Sequence, residues 1–169
     1  MDQNTNHRKL LTLLIIAMVA MAIPAHAAKA RWVSFKSNVL NIQVSVPDDW
    51  KPVKVPKALA FRADDLTGGT AAMGILKSDQ PGKIEDLADQ QFEHDGKPAD
   101  WVRGNAKIGG MRAIKIVGLL PNNPERKMVH YFIETPNGNY LVQCQATADR
   151  WSVFGPTFTT ILSKLTFLP

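Results

Sequence analysis

Cys144, His94, His130, the doublets Asp48-Asp49 and Asp64-Asp65, and the pair Trp101 and Arg103 are the residues whose types could carry chemistry in this sequence. A thiol needs a neighbouring base or cation to become a nucleophile. Cys144 lies in NYLVQCQAT, where alternation sets it with Tyr140, Val142 and Ala146 on the more apolar face, so it is expected as a buried small hydrophobe. It is also the single cysteine, so no internal disulfide can form. His94 beside Asp95 and His130 with Glu134 are the conceivable metal pairs. On a strand His130 and Glu134 stand about 13 Å apart, too far to share one ion. The aspartate doublets are adjacent residues, whose side chains diverge on an extended chain, so neither makes an acid/base dyad. No G-x-S-x-G elbow, phosphate-binding lysine loop or G-x-G-x-x-G run occurs. The expectation is a protein that is not an enzyme, with no metal site and no cofactor. Trp101 and Arg103, in the loop HDGKPADWVRG, are the candidate binding residues, as an aromatic–arginine interface anchor. The competing place for Trp101 is under that loop, in the core.

The elements that would position these residues are mostly strands. NIQVSV puts Ile42, Val44 and Val46 on one side, and Pro47 ends that run. Asp48-Asp49 then form a corner from which Trp50 folds back to plug the core. ALAFRA and GTAAMGILK are further strands, joined by the turn DDLTGG. Small residues in the second suggest close approach by a neighbour. KIEDLADQQFEHDG changes period: Ile84, Leu87, Ala88, Gln91 and Phe92 form a helical stripe. Asp79 or Pro81 could open that helix and Gly96 close it. Gly109-Gly110 and Asn137-Gly138 mark two hairpins. Trp151, Phe154, Phe158, Ile161, Leu162 and Leu165 have helical spacing, and Gly155-Pro156 predicts a turn first, with the helix starting near Pro156. An extended tail, LTFLP, follows. The sum is an α+β fold: an antiparallel sheet of about six to eight strands flanked by two main α-helices.

Residues 1–27 read as a cleaved secretory signal peptide. Arg8 and Lys9 precede the apolar run Leu10–Ile23, and Ala25-His26-Ala27 supplies small residues at the cleavage site. The run is short for a membrane span, which needs about 20 residues. Residues 28–169 then form one domain, exported to the periplasm or beyond and soluble, with no transmembrane segment. Setting aside Arg8, Lys9 and Asp2 from 20 basic and 15 acidic residues leaves 18 and 14, a net charge of +4. That excess favours an acidic partner or peripheral contact with an anionic membrane. No dense basic run argues for nucleic acid.

Ile42, Val46-Pro47 and Trp50 near the start, and Phe158, Ile161-Leu162, Ser163 and Phe167 near the end, resemble the PsbP/DcrB/LpqN superfamily, whose fold the nuclear import factor Mog shares. These motifs are structural. The resemblance implies a sheet flanked by helices and a non-enzymatic accessory or binding role, and it brings no catalytic residue. The function expected is therefore an exported accessory protein that contacts an unidentified envelope protein or complex. The alternative is a small-ligand carrier with an apolar pocket between sheet and helix, which a cavity of roughly 300 Å³ or more would support.

Overall fold

The computed structural model describes residues 31–65, 69–79, 82–95, 98 and 100–169. The signal peptide expected over residues 1–27, part of the turn DDLTGG, and Pro81 and Gly96 named above lie outside them. The chain runs β1 (Trp32–Ser37), β2 (Ile42–Pro47), β3 (Lys51–Val55), β4 (Ala58–Asp64), β5 (Thr70–Lys77), α1 (Ile84–His94), β6 (Val102–Ile108), β7 (Met111–Leu120), β8 (Asn123–Thr135) and β9 (Gly138–Thr147). A 3₁₀ turn (Ala148–Arg150), α2 (Trp151–Ser163) and β10 (Thr166–Phe167) complete it. Seven strands form one sheet in the order β3-β4-β5-β9-β8-β7-β6, and β1-β2-β10 form a second. Each pairing is antiparallel. The α+β class, the helix pair and a main sheet within the expected strand count all match the reading of the sequence.

Alternation decides which side chains go to which layer. On one face of the large sheet Met73, Ile75, Val142, Cys144, Val129 and Ile133 meet the small sheet and α2 in the main core. Ile42, Val44 and Val46 of β2 enter that core fully buried. The opening and closing motifs meet there: Trp50 lies edge-on to Phe158 at 5.6 Å, and Phe167 pairs with Ile42. Phe35 against Phe61, at 4.9 Å, ties the two sheets together. The Tyr140 hydroxyl donates to the Leu40 carbonyl at 2.6 Å inside this core. Tyr140→Phe will strand that buried acceptor, and urea unfolding should report a loss of about 1–2 kcal/mol.

On the opposite face α1 lays Ile84 and Ala88 against Ile114, Ile116, Met128 and Phe132. The two helices are staggered. α1 packs on β7 and β8, whereas α2 packs on β2 and β9. Among the described residues, exposed parts of the large sheet remain at β3, which is exposed along its length, and at Val102 of β6 and Leu119 of β7, 64% and 37% exposed.

Four local expectations need correction. β1 and β3 are strands that the pattern did not announce. β3 is exposed along its length and sits at the sheet edge, where Pro52 costs no interior ladder bond. The first helix starts at Ile84 with Lys83 at its N-cap and no side-chain cap bond, and Asp79 pairs with Lys57. The second helix begins at Trp151 and runs through Gly155-Pro156. The carbonyl that Pro156 leaves unpartnered belongs to Ser152, which is exposed to water, while the Trp151–Phe158 contact at 5.8 Å holds the two halves together. Finally, the small residues of β5 differ: Ala71 is fully buried in the main core, whereas a methyl group at Gly74 would meet nothing within 4 Å among the described residues.

Candidate functional site

The loop that holds Trp101 and Arg103 is pinned to the end of β7 from both sides. The Trp101 indole N–H donates to the Leu119 carbonyl at 2.8 Å, and the Leu119 amide donates to the Asp100 carboxylate at 2.8 Å. The Trp101 ring lies inside, 9% exposed, with Phe92 and His130 at 6.0 and 6.1 Å. It occupies the space that a side chain at Gly118 would fill. Trp101 thus takes the interior place that competed with the surface one. Arg103 is on the surface, on β6, and pairs with Asp89 of α1. The two residues are brought together in sequence but not in role: one anchors the loop from below, the other faces solvent. Asp100 was not singled out from the sequence. Its signal was an aspartate immediately before a buried tryptophan, a position suited to capturing a backbone N–H.

The α1 side carries a set of paired charges. Arg112 bridges Glu85 of α1 and Glu134 of β8, the latter at 3.0 Å. The Arg112 bond holds the Glu85 carboxyl below its usual range, and Glu85 in turn raises the guanidinium. These groups are exposed, so the pairs set the position of α1 more than its stability. Beneath the helix, His130 is 3% exposed. Its ring stands edge-on to both Trp101 and Phe132, and neither nitrogen has a hydrogen-bond partner among the described residues. Burial pushes it down to about 4, against the opposing charge of Asp95.

Beside α1 lies a cavity of about 360 Å³. Leu76, Leu87, Phe132 and Leu141 give it an apolar floor, and Ser78, Gln90, Gln91 and His94 a polar rim. The α2 side has two adjoining clefts of about 250 and 380 Å³, which share Lys115, Tyr131 and Thr159. Lys115 lies 6.0 Å over the Tyr131 ring and Lys127 5.4 Å over Trp151. As alternation required, Arg112 and Lys115 face opposite sides of the sheet.

The other groups that could do chemistry hold structure. Cys144 is fully buried, and desolvation pushes its thiol up, away from the reactive thiolate. Asp65 accepts from Arg150 at 2.7 Å and from the Gly69 amide at 2.7 Å. Asp64 holds Arg62 at 2.9 Å. The backbone amide of Asp48 bonds the Arg31 carbonyl, and Trp50 turns back on Pro47 at 3.1 Å, so the Asp48-Asp49 corner ends a strand. His94 meets its neighbour Asp95 at 3.1 Å, and Glu134 is engaged by Arg112 rather than by His130. Among the described residues no three His, Cys, Asp or Glu side chains converge as a metal site. No described helix is long and apolar enough to cross a membrane.

No protein-family model matches the chain, and no curated protein matches it significantly. Solved structures do share its architecture. The solution structure of cyanobacterial PsbP from Synechocystis superposes with a TM-score of 0.55 at 18% identity, covering 84% of this chain and 95% of that one. LpqN of Mycobacterium tuberculosis, involved in cell envelope biogenesis, gives 0.51 at 16%, covering 85% and 88%. The Ran-binding protein Mog1p of Saccharomyces cerevisiae gives 0.50 at 9%, covering 82% and 96%. At these identities the likeness is one of fold.

Proposed function

We propose that this chain, which has the PsbP/Mog1-like fold, is an exported, non-enzymatic accessory protein that acts through protein–protein contacts in the periplasmic side of the cell envelope. The observation that carries the reading is the use of its chemistry. Cys144 and His130, the groups best suited to catalysis, are sealed in apolar layers, while among the described residues β3 and the start of β6 at Val102 are exposed. Such a molecule offers surfaces rather than a reaction centre. LpqN's part in cell envelope biogenesis and Mog1p's binding of Ran support a role of this kind. So does the N-terminal sequence, which has the form of a secretory leader.

The contact surface is assigned to the start of β6. Arg103 faces the α1 side there, and Val102, 64% exposed, faces the other. Trp101 serves as the internal post that fixes both. The test places a photo-crosslinking residue at Val102 and at Arg103 of the full chain, in its own cells, with Val55 on the far edge strand as the control. A discrete envelope-protein adduct from β6 and none from Val55 is the expected result. Retention of the uncleaved chain in the cytoplasm would overturn the reading.

A second reading, a small-ligand carrier, is favoured by the 360 Å³ cavity beside α1, whose size and mixed lining suit a small apolar molecule. Native mass spectrometry of the chain from its own cells would then show a bound small molecule, and the crosslinks would be absent.

A further inference from the structure

Charge divides the two faces of the sheet. α1 carries Glu85, Asp86, Asp89 and Glu93, and two cations on its side are paired with carboxylates: Arg103 with Asp89, and Arg112 with Glu85 and Glu134. α2 has no charged residue from Trp151 to Ser163, in a chain that is 21% charged. On its side Lys115 and Lys127 rest over aromatic rings, with no carboxylate in ion-pair distance among the described residues. None of the residues lining the two clefts there is acidic. An ammonium held over a ring keeps its position while its N–H groups stay available. An uncompensated pair of them attracts carboxylates. Depletion of charge around an apolar strip is also what the buried centre of a protein interface looks like.

Shape selects the occupant further. Lys115 pairs in register with Tyr131, and Lys127 lies four residues before Tyr131 on β8, so their backbones are about 13 Å apart. One small anion cannot bridge them. The trough follows α2 from Ser152 to Ser163, about 16 Å, the length of about five extended residues. Leu119, opposite Lys127 in the β7–β8 ladder, is 37% exposed, and Val102, opposite Val117, is 64% exposed. The Tyr131 phenol, pushed up to about 12 by burial, stays a neutral donor on the floor.

We propose that the trough between α2 and the β6–β7 hairpin receives an extended acidic segment of a partner protein, with its carboxylates on Lys115 and Lys127 and its apolar side chains against Val117 and Leu119. This rests on the protein-contact reading above and names the partner's chemistry.

The test is fluorescence anisotropy of the full chain with a labelled peptide that alternates glutamate and valine. Saturable, salt-sensitive binding is expected, and none for the counterpart peptide with lysine in place of glutamate. The double variant Lys115→Gln, Lys127→Gln should bind about tenfold more weakly with an unchanged thermal melt. Arg62→Gln with Arg112→Gln, away from the α2 side, should change affinity less than about twofold. Equal loss from both pairs, or equal binding of the two peptides, overturns the assignment. Vesicles containing phosphatidylglycerol form a further arm: if the lysine pair governs vesicle binding but not peptide binding, the trough faces a membrane and the proposal falls. Peptide binding by a chain that stays in the cytoplasm would overturn export alone. A crosslinked envelope partner that the lysine variant still captures would overturn the trough alone.

Discussion

Between pH 7 and pH 4 this protein will lose about 3 kcal/mol of stability through His130, and His130→Leu will abolish that loss. The imidazole is 3% exposed, wedged between Trp101 and Phe132, and titrates near 4 in the folded state against 6.5 for an unperturbed histidine. Because the folded value is the lower one, the unfolded chain takes up the proton first as pH falls. Stability is intact above about 6.5, declines as pH passes from 6.5 to 4, and has fully lost this contribution below 4. A shift of about 2.5 units corresponds to about 3 kcal/mol at 1.36 kcal/mol per unit. Leucine fills a similar volume and removes two unpartnered buried nitrogens, so the variant should be at least as stable as the parent at pH 7. Urea unfolding of both proteins at pH 7, 6, 5 and 4 checks this. Parallel curves would mean that the ring finds a partner or water in solution. Glu85, held low by Arg112, loses its pairing only in the carboxylate range and does so in both proteins.

Gly118→Ala will unfold the region around Trp101 at a cost of about 3 kcal/mol, the upper end for overpacking. The added methyl would overlap the indole ring, with Nε1 2.6 Å away. The ring cannot retreat without breaking its bond to the Leu119 carbonyl and leaving Phe92 and His130. Trp101→Ala removes the same contacts and should cost about 3–5 kcal/mol. The informative measurement is the pair. Gly118→Ala with Trp101→Leu should cost less than the two single changes added together, because the smaller side chain makes room for the methyl. Strict additivity would show that the two positions do not share that space. The same numbers warn against reading Trp101→Ala as a binding variant: any lost interaction would follow from a loosened loop.

The legible parts of the fold were those where local pattern and final environment agree. β2 and β5 alternate cleanly because one face of each is buried, and α1 shows its stripe because it packs on a flat sheet. What stayed hidden was set by packing partners rather than by local pattern. β3 is a strand because β4 offers it an edge, not because KPVKV favours one. α2 continues through proline because packing of Phe154, Phe158, Ile161 and Leu162 outweighs one lost bond. The candidate site was less legible still. Trp101 and Arg103 were visible as residue types, but the inward turn of the ring depends on Gly118, seventeen positions away, lacking a side chain. The lysines of the α2 trough were visible as charges. That each rests on an aromatic ring, with no carboxylate paired to it among the described residues, appears only after the sheet is assembled.

The pairing of β2 with β10 sets a timetable for folding. Gln43 must find Thr166, and Tyr140 must reach back 100 positions to Leu40. The hairpins β6–β7 and β8–β9 can form from neighbouring residues, whereas the small sheet closes only when the final residues are present. Contacts of such long range slow folding, because loop closure comes before any reward. Until β10 docks on β2 the main core stays unsealed around the amino-terminal strands, so closure of the small sheet is expected as the late step.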